Sequence, residues 1–134
     1  PLIFGGVLIF RRYRLRLHGD LAYAREKRAF SDAIKRLNKA DEFLSSSDSA
    51  SFYAEIQRAL YMFIGDKLNV SVVGMTVEEC EHISSEAGLS SDLIELLGMC
   101  LRRCDYARFG QAAGTISDMQ DVRRDAEKLI ESLR

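Results

Sequence analysis

Proline is absent after position 1, tryptophan is absent altogether, and only two histidines and three cysteines occur in 134 residues. Each shortage excludes something. A body without proline and with few β-branched clusters leans helical before any periodicity is considered. Cys80, Cys100 and Cys104 are odd in number and form no C-x-x-C pair, so neither a disulfide framework nor a zinc knuckle is indicated. A reducing compartment suits them. With His18 and His82 the only histidines, the chain has no H-E-x-x-H motif and no Ser–His–Asp set with a plausible elbow. A Gly-rich phosphate loop is also missing. The expectation is a protein that is not an enzyme and holds no cofactor or metal.

What the sequence does have is a lopsided start. Residues 1–10 are an unbroken apolar run, and Arg11, Arg12, Arg14 and Arg16 follow at once. Ten helical residues reach roughly 15 Å, about half of a hydrocarbon core. The run therefore reads as the end of a transmembrane helix, with residues 1–18 as that remnant and a basic juxtamembrane stem. A start on Pro1 without an initiator Met fits a cut inside a longer protein. Charges that follow the apolar stretch argue against a signal peptide, and arginine bias assigns them to the cytoplasmic side, among anionic headgroups. Residues 19–134 are then one cytoplasmic helical domain. The alternative is a soluble helical regulator, anti-sigma-like or nucleic-acid-associated, with residues 1–16 packed in its core.

The overall formal charge of −1 hides an asymmetry. Residues 1–40 carry ten Lys/Arg against three Asp/Glu, and the remainder carries nine against seventeen. A basic stem and an acidic body suit a protein beside an anionic membrane better than a nucleic-acid binder.

Apolar periodicity predicts an all-α fold, a small bundle of about five helices. Leu21, Ala24, Ala29, Ala33, Leu37, Ala40 and Leu44 place a helix over residues 18–44, mostly alanine-faced, with Gly19 as a hinge before it. Residues 45–49, all Ser or Asp, end it. The stripe Phe52, Ile56, Ala59, Leu60, Phe63, Ile64 and Leu68, flanked by Tyr53 and Tyr61, marks the central helix of the core. Residues 69–74 read as a loop, since Val70, Val72 and Val73 have no partner strand. Thr76 and Glu79 form a capping box for a short helix that stops at Gly88, suited to a left-handed C′ position. Ser90 or Ser91 caps a fourth helix bearing Leu93, Leu96, Leu97, Cys100, Leu101 and Cys104. A last one starts at Thr115 or Ser117 and buries Ile116, Met119, Val122, Ala126, Leu129, Ile130 and Leu133.

Side chains with chemical potential all have plainer readings. Cys100 and Cys104, four apart on a leucine face, read as small core hydrophobes. Glu78, Glu79, Glu81 and Glu86 sit where a helix dipole already favours carboxylates. Asp105 and Arg108 at i, i+3 can pair on a helix surface, with Tyr106 and Phe109 as large aromatics near the helix end. Aromatics and arginine dominate interface hot spots, so Asp105, Tyr106, Arg108 and Phe109 are the candidate partner surface.

The apolar run with its arginines, the segment Phe52-Tyr-Ala-Glu-Ile-Gln-Arg-Ala-Leu60 continuing to Gly65-Asp-Lys-Leu68, the segment Gly74-Met-Thr-Val-Glu-Glu79, and Arg103-Cys-Asp-Tyr-Ala-Arg-Phe-Gly110 occur in that order. In this the chain resembles the cytoplasmic C-terminal part of BatD-like proteins, the aerotolerance (oxygen tolerance) family of bacterial membrane proteins. The resemblance implies a larger parent with β-sandwich domains outside the cytoplasmic membrane, one transmembrane helix, and this helical domain inside. It also implies partners: von Willebrand factor A-domain membrane proteins and a MoxR-type AAA+ ATPase. No catalytic residue comes with it, and the leucine-rich setting of the cysteines does not suit exposed, low-pKa thiols.

Overall fold

The structure, a computed structural model, describes residues 19–109 and 115–133. Arg11, Arg12, Arg14 and Arg16, and the apolar run before them, lie outside the described residues. Within these, the chain is all-α: α1 Gly19–Ser45, α2 Ser49–Leu68, α3 Val77–Glu86, α4 Ser91–Phe109 and α5 Ile116–Leu133. No strand interrupts them among the described residues, so the valines of residues 69–74 form a loop as expected. No helix among the described residues is long and apolar enough to cross a membrane.

The periodicity explains the packing. Phe52, Ile56, Ala59, Leu60, Phe63 and Ile64 are buried on α2, and this helix alone touches all four others. Burying each of the large side chains contributes about 1.5–3 kcal/mol. Tyr53 belongs to this core too, 3% exposed and edge-on to Phe52 at 5.2 Å, where a flanking position was expected. Its ring, four residues before Gln57, continues one side of the stripe inward. Ala29, Ala33, Leu37 and Ala40 are the buried face of α1, and the α1–α2 pairing is the most extensive in the bundle. Three alanines on that face let the two backbones approach closely. On α5 the stripe runs from Met119 to Leu133, whereas Ile116 is 51% exposed. Ile116 is the first residue of its helix, one turn ahead of the point where the buried stripe begins.

Caps set the helix ends. Thr76 Oγ1 accepts from the Glu79 amide at 3.1 Å, the Thr half of the expected box. At α5 the box is reciprocal and settles the start on Thr115: its hydroxyl accepts from the Asp118 amide (3.1 Å) and Asp118 Oδ2 accepts from the Thr115 amide (3.0 Å). Ser90 rather than Ser91 caps α4, accepting from the Leu93 amide at 3.3 Å. Gly88 closes α3 at φ 88°, with paired reverse bonds from Leu89 to Ser84 and from Gly88 to Ser85. The same two-bond closure ends α1 on Ser47 (φ 59°), through Asp48 to Phe43 and Ser47 to Leu44. Asn69 at φ 56° ends α2 and directs the chain back over it. Gly65 permits that return: a Cβ there would meet Val72 Cγ1 at 2.9 Å and the Val70 carbonyl at 3.0 Å.

Candidate functional site

Helix α4 decides where the chemistry-bearing side chains go. Asp105 and Arg108 lie on the same side of the helix as buried Leu97, Leu101 and Cys104, turned toward α2. The Gln57 amide of α2 bonds both: its Nε2 donates to Asp105 Oδ1, and its Oε1 accepts from Arg108. Gln57 is only 7% exposed, so its amide needs partners, and these two residues supply them. The simple surface pairing of Asp105 with Arg108 becomes a three-residue link between helices.

Tyr106 faces the other way. It is 68% exposed, with Met99 two turns earlier on the same face at 42%. These two side chains help line a groove of about 690 Å³ between α4 and α5, which Tyr53 and Val122 also line and where Arg102 and Arg103 stand with the carboxylates of Glu81, Glu95 and Asp118. The expected corner is therefore split: Asp105 and Arg108 hold the bundle, and Tyr106 is open. The side chain of Phe109 lies outside the described residues.

The charges at this groove are already engaged. Arg102 forms a two-pronged pair with Glu81 of α3 (2.6 and 3.3 Å) and lies 3.8 Å from Glu78. The pair raises the Arg102 guanidinium pKa, chiefly through the Glu81 bond. It lies across Gly98, where an added Cβ would collide with Glu81 and with Arg102 at 2.7 Å. Arg103 reaches Asp125 of α5 at 3.9 Å. His82 pairs with Glu86 at 2.8 Å. Glu78 and Glu81 are thus held by Arg102, and Glu86 by His82.

The three thiols are buried. Burial pushes Cys80 up to about 11 and Cys100 up to about 12, and raises Cys104 as well. They are protonated at neutral pH and act as core side chains. No cluster of three or more metal-ligating side chains occurs among the described residues.

Sequence reading missed Gln57, Gly98 and Met99. Gln57 had a signal, a polar residue directly inside the apolar stripe of α2; Gly98 and Met99 acquire meaning only once α3 and α5 are beside α4. Against known proteins, no family model matches the chain, and neither does any curated protein or solved structure.

Proposed function

We propose that the chain is a membrane-anchored, non-enzymatic interaction domain that helps assemble a protein complex at the cytoplasmic face of a bacterial inner membrane. The resemblance to BatD-like proteins supplies the partner classes, von Willebrand factor A-domain membrane proteins and a MoxR-type AAA+ ATPase, and a link to oxygen and stress tolerance. Arg11, Arg12, Arg14 and Arg16 serve the lipid side, and the Tyr106 groove serves the protein side.

The observation that carries this reading is the open face of α4. An exposed tyrosine and methionine stand beside two arginines, over a groove lined by Tyr53 and Val122. Large aromatic, methionine and arginine side chains are the types that anchor interfaces.

The test is direct binding. The 134-residue chain with phosphatidylglycerol-containing vesicles is titrated with a purified A-domain protein and, separately, with the ATPase. One of them binds the wild type, and Tyr106→Ala weakens it roughly tenfold or more. Binding of neither, or equal binding by the variant, overturns the proposal.

A further inference from the structure

Three cations of the basic first forty residues lie not in the stem but on the folded bundle, where they meet a fourth from α2. Asp32, Lys35, Arg36 and Lys39 fall at i, i+3, i+4 and i+7 and share one face of α1. With Glu55 and Arg58 of α2 they line an open groove of about 410 Å³, on the α1–α2 pairing and away from the Tyr106 groove. Among the described residues, Lys35, Arg36 and Lys39 make no hydrogen bond or ion pair, and Arg58 only a 3.8 Å approach to Glu55. On the other helices Arg123 and Arg102 are engaged: Arg123 bonds Asp41 at 3.0 Å and Glu127 at 2.7 Å, and Arg102 bonds Glu81 at 2.6 Å.

We infer that this groove docks an acidic segment of a partner protein. Four cations against two carboxylates leave the groove net positive, on a body whose residues after position 40 carry nine Lys/Arg against seventeen Asp/Glu. A net positive site attracts an acidic ligand, and the carboxylates that outnumber the cations after position 40 disfavour that ligand on the other helices. The two carboxylates decide the class of ligand. Asp32 and Glu55 accept hydrogen bonds from the backbone N–H groups of a peptide, which lipid phosphates do not offer. A volume near 410 Å³ suits a few side chains of one segment rather than a nucleic-acid duplex. The inference does not depend on the Tyr106 groove, and its variants leave that groove untouched.

The experiment uses the full chain and a fluorescein-labelled peptide rich in Asp and Glu, followed by anisotropy. The wild type binds it, and binding weakens as salt screens the site over a Debye length of about 8 Å at physiological ionic strength. Lys35→Glu combined with Lys39→Glu weakens binding about tenfold or more. Lys128→Glu, which reverses an exposed α5 cation outside the groove, leaves it within about twofold. Circular dichroism of each variant confirms the helical fold. The inference fails if the wild type does not bind, or if the double variant binds as the wild type does. It also fails if the double variant keeps the peptide but loses binding to phosphatidylglycerol vesicles or to inorganic phosphate, which would make the groove a lipid-headgroup or free-phosphate site.

Discussion

One face of α4 carries Leu97, Cys100, Leu101 and Cys104, each no more than 1% exposed; the opposite face carries Met99 and Tyr106 at 42% and 68%. The inner face is closed in every respect. Its apolar groups are packed, its thiols are protonated, and the polar residues beside it, Asp105 and Arg108, are bonded to Gln57. On the outer face large side chains of the kind that usually pack are left at the surface. The lesson is that residue type misleads about function in this chain. Cysteines, clustered glutamates and an Asp–Arg pair look chemical and serve the fold. A tyrosine, a methionine and a few lysines look ordinary and are what the surface offers.

The comparison breaks most severely from the inside. Leu60→Ala removes a fully buried side chain from α2 and lowers unfolding free energy by about 2–5 kcal/mol, measured by urea denaturation. Gly65→Ala comes next, at about 1–3 kcal/mol, because the new methyl presses on Val72 and on the Val70 carbonyl; ordinary helix propensity predicts the opposite sign.

Smaller effects sharpen the contrast. The folded state holds Cys80 near 11 and Cys100 near 12, against 9.0 for an unperturbed thiol, and Tyr61 near 12 against 10.0. Above pH 9 the unfolded chain loses protons that the native chain keeps. The stability these groups contribute is therefore complete below that pH and declines as pH rises toward 12. Thermal melts across the alkaline range should fall accordingly, and a thiol reagent at neutral pH should find no reactive cysteine until the chain unfolds. Arg102→Ala sits at the boundary between the two faces. It breaks a pair whose side chains are 52% and 24% exposed, and costs no more than about 1 kcal/mol.

The bundle was legible because its signals are local. Apolar steps of three and four residues, the Thr76 box and Gly88 placed the helices and most of their ends. Ser47 was not legible: serine seldom adopts a left-handed φ, and here the two reverse bonds of the motif hold it at 59°. Asn69 had a signal, since asparagine is the usual substitute for glycine at that position. The partner surface was half legible. Tyr106 stands exposed, but nothing local shows that Asp105 and Arg108 bond across to α2, because Gln57 lies 48 and 51 residues away in sequence. Ile116 failed for the reason helix ends often do, a stripe extended one turn too far. The basic groove escaped because charge summed over residues 1–40 grouped Lys35, Arg36 and Lys39 with the stem arginines, whereas the fold sets them beside Glu55 and Arg58.

The central claim is a division of labour across α4, and paired measurements on Gln57→Leu and Tyr106→Ala test it most directly. Each variant of the full chain is unfolded in urea and titrated with the partner that the wild type binds. The account predicts that Gln57→Leu loses about 1–3 kcal/mol of stability, its two partners deprived of their shared amide, and keeps partner affinity within a few fold. Tyr106→Ala keeps stability within about 0.5 kcal/mol and loses binding roughly tenfold or more. The reverse pattern, with binding dependent on Gln57 and indifferent to Tyr106, would contradict it.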